Sequence, residues 1–110
     1  MWAARKYRNV PVVVDGLRFD SKAEARRWVV LRLLEKAGEI RDLRRQVTYP
    51  LIVNGVKVGS YRSDFDYVWI DGRRVVEDVK SRFTKKLPMY QLKKKLMRAC
   101  WGVDISEIEQ

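Results

Sequence analysis

The stretch SDFDYVWIDGRRVVEDVKS, residues 63–81, sets the architecture of this chain. Valine and aromatic residues on both sides of Asp71-Gly72 favour two strands, and Asp-Gly is a strong signal for a hairpin turn. Side chains alternate along a strand, so Asp78 and Lys80 share one face while Glu77 points to the other. Charged groups in a valine strand are costly to bury unless they pair or bind something. The second strand therefore ends in candidate functional groups.

The register across this turn decides which carboxylates meet. A strict two-residue turn leaves Asp64 and Asp78 on opposite faces of the hairpin. A three-residue loop, with Gly72 as the left-handed residue of a bulge, pairs Trp69 with Arg73 and sets Asp64 opposite Asp78. A shift of one residue in the register therefore decides whether Asp64 and Asp78 lie on the same face and can form a site. We expect the bulged register, or a bulge elsewhere in the pair with the same effect.

The rest of the chain predicts two helices and further strands around this hairpin. Asp20 or Ser21 can cap a helix over 21–37, and a second helix is predicted over 85–102. Strand-like runs are predicted over 12–19, 47–59, 60–70, 73–81 and 103–108. The predicted fold class is α/β, a small mixed β-sheet flanked by two helices. We expect one domain over 10–110, after a basic arm at 1–9.

Two side-chain patterns predict which faces are buried. Along the run 60–70, an aromatic set shares one face: Tyr61, Phe65, Tyr67 and Trp69. Along the second helix, an apolar stripe is expected to face inward and to turn the lysines of 93–95 outward: Leu92, Leu96 and Cys100.

Composition narrows the chemistry. The 110 residues include 24 Lys and Arg against 14 Asp and Glu, a formal net charge of +10. This charge points first to nucleic acid, because contacts with phosphate supply affinity, and a membrane surface is a poorer candidate. Histidine is absent from the sequence, which excludes the Ser-His-Asp triad and most zinc hydrolase designs. Cys100 is the only cysteine and the N-terminus has no apolar signal segment, so we expect a cytoplasmic protein, in a bacterial host cell if a phage encodes it.

Three carboxylates and a lysine are candidates for a catalytic site. Glu24 lies near the start of the first predicted helix, on the side turned to the sheet, and the bulged register adds Asp64, Asp78 and Lys80. Converging carboxylates repel each other unless a cation neutralises them, and an all-oxygen cluster suits Mg²⁺ or Mn²⁺. Such an ion beside a lysine suits phosphodiester hydrolysis. For Glu24, a capping box with Ser21 is the alternative role.

The ordered set resembles the PD-(D/E)xK nuclease superfamily. Glu24 stands on the first helix, Ser63-Asp64 takes the place of Pro-Asp, and Asp78-Val79-Lys80 is the D-x-K element. The stretches VVVDGLRFDSKAEARRW, LLEKAGEIRDL and VVEDVKS are similar to a phage and prophage branch of small nucleases. The resemblance spans about residues 6–105. Ser63 departs from the family proline, which is scaffold rather than chemistry.

The resemblance implies a restriction-endonuclease-like core and a metal-dependent endodeoxyribonuclease. Within the superfamily it points to a Holliday junction (branched DNA) resolvase that acts as a homodimer in DNA recombination and repair. It implies that Asp64, Asp78 and the Val79 carbonyl hold Mg²⁺ or Mn²⁺, that Glu24 contributes through water or orients a second ion, and that Lys80 positions the attacking water.

Two further residues bear on this implied site. Gln46 lies where such nucleases often have a polar residue near the site, and it is an additional candidate. Glu77, next to Asp78, leaves open which carboxylate is the ligand, although strand alternation favours Asp78.

Basic residues around the site are expected to bind the DNA backbone. They are Arg5, Lys6, Arg8, Arg26, Arg27, Arg82, Lys85, Lys86, Lys93 and Lys94. Tyr7 is a candidate for stacking on bases or for packing, and Tyr90 is expected to pack. The candidates for a dimer interface, equally compatible with the core, are Trp2, Trp69 and Trp101. Phosphate and shape contacts predict recognition of DNA structure rather than of sequence.

Two other functions stay open from the sequence. One is a non-catalytic basic nucleic-acid-binding module whose carboxylates only form structural pairs. The other is a mismatch- or site-directed nickase of the same fold. Scattered positions of Glu24, Asp64 and Asp78 would favour the binding module, and their convergence favours an enzyme.

Overall fold

The computed structural model describes residues 10–110, and the predicted basic arm lies outside them. In chain order the elements are β1 (Val12–Val14), β2 (Leu17–Phe19), α1 (Lys22–Lys36), β3 (Ile40–Arg45), β4 (Thr48–Val53), β5 (Val56–Arg62), β6 (Phe65–Trp69), β7 (Arg74–Lys80), α2 (Pro88–Trp101) and β8 (Ser106–Glu109). A 3-10 turn over Thr84–Lys86 precedes α2. Neither helix in this range is long and apolar enough to cross a membrane.

Four of the strands form a mixed sheet in the order β3-β6-β7-β8. The β3–β6 and β6–β7 pairs are antiparallel, and the β7–β8 pair is parallel. The pairs β1–β2 and β4–β5 form separate hairpins. Their turns, at Asp15-Gly16 and Asn54-Gly55, have positive φ at both residues, which is the favoured hairpin geometry. The predicted α/β class, a mixed sheet with two helices, is confirmed.

Each face of the mixed sheet is covered by a different core. Helix α1 covers one face with a cluster that includes Trp28, Leu31 and Val79. The β4–β5 hairpin and α2 cover the other face with a cluster that includes Val76 and Met97. Strand β7 is therefore buried from both sides, which explains its run of valines.

The turn between β6 and β7 takes the bulged form. The Trp69 N–H donates to the Arg73 carbonyl at 2.8 Å, and Gly72 has φ of 93°. The pairing continues without a slip to the far end of β6. Just beyond that end, the Asp64 N–H donates to the Glu77 carbonyl at 3.0 Å and the Asp64 side chain accepts from the Val79 N–H at 2.7 Å, so Asp64 lies beside Asp78. The predicted bulged turn is confirmed.

The run 60–70 is two strands, so the prediction of a single strand is wrong. Strand β5 ends at Arg62 and pairs with β4, whereas β6 begins at Phe65 and belongs to the mixed sheet. Between them Ser63 is buried, and its Oγ donates to Asp66 at 2.6 Å. This anchored passage from one sheet to the next also divides the expected aromatic face, because Tyr61 belongs to the core on the α2 side.

Two more expectations are corrected. The sequence predicts no strand at β3, where a bulge near Asp42, with φ of 57°, interrupts the alternation. On α2 the expected inward Leu92 is 51% exposed, and the buried residues are Tyr90 and Met97. The β4–β5 hairpin packs against this helix, so the buried stripe is turned relative to the predicted one.

Candidate active site

Asp64 and Asp78 face each other where the β6–β7 ladder ends. Asp64 Oδ2 accepts a hydrogen bond from the Val79 N–H at 2.7 Å, and the two carboxyl groups lie close enough for each to shift the pKa of the other. The Tyr61 hydroxyl donates to Asp78 Oδ2 at 2.7 Å. Backbone and side-chain donors thus fix the positions of both carboxyl groups.

Glu24 reaches this pair from the first turn of α1. Ser21 is the N-cap, and its Oγ accepts from the Glu24 N–H at 3.2 Å. The Glu24 carboxyl lies beside the same hydroxyl, at 3.5 Å, and is close enough to Asp64 and Asp78 for both to shift its pKa. The two roles considered for Glu24 are therefore compatible: its backbone takes part in the cap while its carboxyl faces the aspartates.

Lys80 completes the cluster on the face of Asp78. Its Nζ lies 3.5 Å from Asp78 Oδ1 and 4.7 Å from the centre of the Tyr90 ring. The Tyr90 hydroxyl donates to Glu107 on β8 at 2.7 Å, which fixes the ring. A cation above an aromatic face is attracted to it, so Tyr90 and Asp78 together hold the Lys80 ammonium at the site.

These groups line one cleft of about 350 Å³, which we call the acidic cleft. Its lining residues are Asp20, Glu24, Asp64, Asp78, Val79, Lys80, Ser81, Thr84, Leu87, Tyr90 and Gln110. A larger opening of about 440 Å³ lies between the β1–β2 hairpin and α1, but its only carboxylate is Asp15. The converging chemistry is confined to the smaller cleft.

Burial perturbs the acids of this cleft. It raises the pKa of Asp64 to about 6, with the Glu24 charge adding to the rise. It raises the pKa of Asp78 to about 7, with the Asp64 charge adding to the rise. The pKa of Glu24 is raised first by burial and then by the charge of Asp20. Several perturbed carboxyl groups in one cleft are typical of functional sites.

The donor chemistry fits a hard divalent cation. Asp64, Asp78 and Glu24 offer only oxygen, and a cation would relieve the repulsion that helps to raise their pKa values. Within residues 10–110, no three acidic or other ligand side chains stand ready to hold an ion in their present positions. Because the pKa values of these carboxyl groups are raised, an ion has to compete with protons for them.

Glu77 faces away from the acidic cleft. It is fully buried, and Arg27 donates to it twice, at 2.8 Å from Nε and 2.5 Å from Nη2. The Tyr67 hydroxyl also donates to Glu77. This buried pair ties β7 to α1 one turn after Glu24. It leaves Asp78 as the carboxylate of this strand that reaches the cleft.

A comparison with known protein families identifies a relationship for this chain. The model of a family described as "Protein of unknown function (DUF1064)" matches residues 4–105. The chain belongs to the DUF1064 family. The matched range includes every lining residue of the acidic cleft except Gln110. A comparison with curated proteins gives no match.

The predicted DNA-binding residues of this DUF1064 chain differ in their surroundings. Three are exposed: Arg26, Arg82 and Lys86. Two are paired with carboxylates of β8, Lys85 with Glu109 at 3.1 Å and Lys94 with Glu107 at 3.2 Å. Lys93 lines a second cleft beside the site. Arg27 is removed from the set because its guanidinium is bound to buried Glu77.

The predictions for the N-terminal residues lie outside the described part of the chain. They concern Trp2, Arg5, Lys6, Tyr7 and Arg8. The other two tryptophans of the predicted interface set are packed in part: Trp69 lies edge-on to Tyr67, and Trp101, 46% exposed, donates to the Pro50 carbonyl at 2.9 Å.

Gln46 touches the site through its backbone. Its N–H donates to the Asp64 carbonyl at 3.0 Å, but its exposed side chain does not line the acidic cleft. Tyr90 is buried at 8% exposure, as predicted, and its contact with Lys80 adds a role that the sequence did not indicate. Tyr61 was also missed, because the predicted single strand placed it on the wrong face. Only the pairing of β5 with β4 brings it to Asp78.

Proposed function

We propose that this DUF1064 chain is a divalent-metal-dependent DNA endonuclease that hydrolyses phosphodiester bonds in branched DNA such as a Holliday junction. The observation that carries the proposal is the convergence of Glu24, Asp64, Asp78 and Lys80 in the acidic cleft. The net charge of +10 supports a polyanionic substrate, because an acidic cleft on a basic protein needs a cation to accept phosphate.

Each residue has a defined task in this reaction. Asp64, Asp78 and the Val79 carbonyl would hold Mg²⁺ or Mn²⁺, with Glu24 beside them. The ion would supply neutralisation of phosphate charge and a more acidic water. The Lys80 ammonium, held by Asp78 and Tyr90, donates hydrogen bonds to the attacking water or to a phosphate oxygen. A donor fixed in this way stabilises charge that develops in the transition state without reorganising.

The preference for branched DNA rests on the family resemblance and on the basic surface. Exposed cations that contact phosphate provide affinity without base readout. Resolution of a symmetric four-way junction needs two cuts, so we also propose a homodimer with two-fold symmetry. Light scattering of the protein with and without a four-way junction tests this second point, and a monomer on the junction would contradict it.

The experiment that tests the function is a cleavage assay on a panel of labelled DNA forms. The forms are a four-way junction, a flap, a mismatched duplex and a matched duplex, each with Mg²⁺, with Mn²⁺ and with EDTA. We expect cleavage of the junction with either metal and none with EDTA. Binding without cleavage under every condition would instead identify a non-catalytic nucleic-acid-binding module. Nicking confined to the mismatched duplex would identify a nickase.

A further inference from the structure

A second cleft continues from the acidic cleft across Lys80. Its volume is about 370 Å³. Its lining residues are Tyr61, Arg62, Asp78, Lys80, Leu87, Met89, Tyr90 and Lys93. It shares four of them with the acidic cleft: Asp78, Lys80, Leu87 and Tyr90. A strand with its reacting phosphate at Asp78 can therefore extend into the second cleft without leaving the protein surface.

The two clefts differ in the charged residues that line only one of them. The acidic cleft adds carboxylates, whereas the second cleft adds two cations, Arg62 from the end of β5 and Lys93 from α2. Within residues 10–110, neither cation has a carboxylate partner. The neighbouring Lys94, by contrast, is paired with Glu107 at 3.2 Å, and Arg98 is paired with Asp104 at 2.6 Å. Arg62 and Lys93 are thus free to bind an anion.

Part of the wall of the second cleft is apolar. Met89 is 63% exposed and Leu87 is half-buried, and both lie beside the cations. Methionine sulfur makes favourable contacts with aromatic rings, and a nucleobase offers such a ring. The volume of the second cleft is near the lower end of the range for pockets that hold drug-sized ligands, roughly 300–1,000 Å³. A single nucleotide is a ligand of drug size.

We propose that this second cleft binds the nucleotide next to the scissile phosphate, with its phosphate on Arg62 and Lys93 and its base against Leu87 and Met89. The inference rests on the proposed nuclease function for the position of the scissile phosphate. A base in this cleft has left the duplex stack, and unstacking costs least where the base is already unpaired. The cleft therefore favours cutting beside bases that are unpaired or easily unstacked.

Binding of a labelled 12-nucleotide single strand, measured by fluorescence anisotropy in EDTA over a range of salt, tests the phosphate contact without cleavage. The test variant is Arg62→Gln/Lys93→Gln. The control Arg44→Gln/Lys57→Gln removes the same charge from exposed positions outside both clefts. One lost phosphate contact lowers the salt slope by about 0.7 for a single strand. We expect this fall for the test variant and a clearly smaller one for the control, and equal falls would overturn the proposal.

The base contact is tested with 2-aminopurine placed next to the scissile phosphate of the junction. We expect its fluorescence to rise on binding of the wild-type protein, because the base unstacks, and to rise less with Met89→Ala. No rise with the wild type would overturn the base contact. The nuclease function is judged separately by cleavage. If the salt slopes differ as expected but the protein cuts no DNA, the nucleotide-binding cleft is supported and the nuclease function is rejected. If the wild type cuts DNA but the slopes are equal, the nuclease function is supported and the nucleotide-binding cleft is rejected.

Discussion

Asp64 lies beside Asp78 at the end of the β6–β7 ladder because Trp69, rather than Ile70, pairs with Arg73 across the turn. Taken alone, neither Asp64, just before the start of β6, nor Asp78, next to Glu77 on β7, marks a site. The single extra residue in the loop brings the two carboxyl groups to the same face, where Glu24 can join them. The proposed catalytic site thus depends on one choice of register.

The acidic cleft is expected to make the metal-free domain less stable as pH rises. The folded-state pKa values of Asp64, about 6, and Asp78, about 7, lie above the ordinary 3.8, so the folded chain binds more protons than the unfolded chain. The stability that these extra protons give the folded state is fully present below about pH 3.8. It is lost as pH rises through 6 to 7. Urea unfolding in EDTA should show the stability of Asp64→Asn/Asp78→Asn gaining on the wild type between pH 5 and pH 8, by roughly 1.4 kcal/mol for each pH unit between pH 5 and the folded-state pKa of each aspartate.

Metal should reverse this difference. An ion that binds only the folded state stabilises it in proportion to the logarithm of its concentration over Kd. We expect millimolar Mg²⁺ or Mn²⁺ to raise the melting temperature of the wild type at pH 8 and to leave the double asparagine variant unchanged. The effect should fade below pH 6, because protons then compete for the same carboxylates. An equal shift in both proteins would place the ion elsewhere.

The cap and the carboxyl function of Glu24 can be separated by mutation. Ser21→Ala removes the acceptor for the Glu24 N–H and should cost about 1 kcal/mol of stability, with cleavage retained at a temperature where the variant is folded. Glu24→Gln keeps the cap backbone and should lower cleavage by at least tenfold without loss of stability. Cleavage that is insensitive to Glu24→Gln would reduce this residue to its structural role.

Lys80 is expected to act on the reaction more than on DNA affinity. Lys80→Met keeps the aliphatic stem but removes the ammonium between Asp78 and Tyr90. The cleavage rate should fall by about 10²–10³, the range found for loss of one fixed donor to developing charge, while Kd for the junction changes by less than threefold. The control Lys57→Met, on the exposed β4–β5 hairpin, should leave the rate unchanged. A parallel loss of rate and affinity would make Lys80 a simple phosphate contact.

The buried pair between Arg27 and Glu77 should matter for stability. Arg27→Met leaves Glu77 without its counter-charge and should cost about 3–5 kcal/mol in urea unfolding. Adding Glu77→Gln should recover part of that loss, because the uncompensated charge is removed. The control is Arg98→Met, which breaks an exposed pair with Asp104 and should cost at most about 1 kcal/mol. Similar costs for Arg27→Met and Arg98→Met would contradict this account of the pair.

The sequence predicts those parts of the fold that local chemistry decides. The two hairpin turns, the cap at Ser21 and the bulge at Gly72 follow from backbone preferences that a few residues express. The division of 60–70 and the turned stripe on α2 depend on the β4–β5 hairpin, whose position comes from distant contacts. The same limit applies to the site. The carboxylates and Lys80 could be found from spacing and alternation, but Tyr61 reaches Asp78 only through that hairpin.

The measurement that tests the central claim most directly is cleavage of a labelled four-way junction with Mg²⁺ by the wild type and by Asp78→Asn. The matched control is Asp42→Asn, an exposed site with φ of 57° that asparagine tolerates. We predict metal-dependent cutting by the wild type and the control, and none by Asp78→Asn, which should still bind the junction. Undiminished cutting by Asp78→Asn, or no cutting by the wild type with any DNA form and metal, would contradict the account.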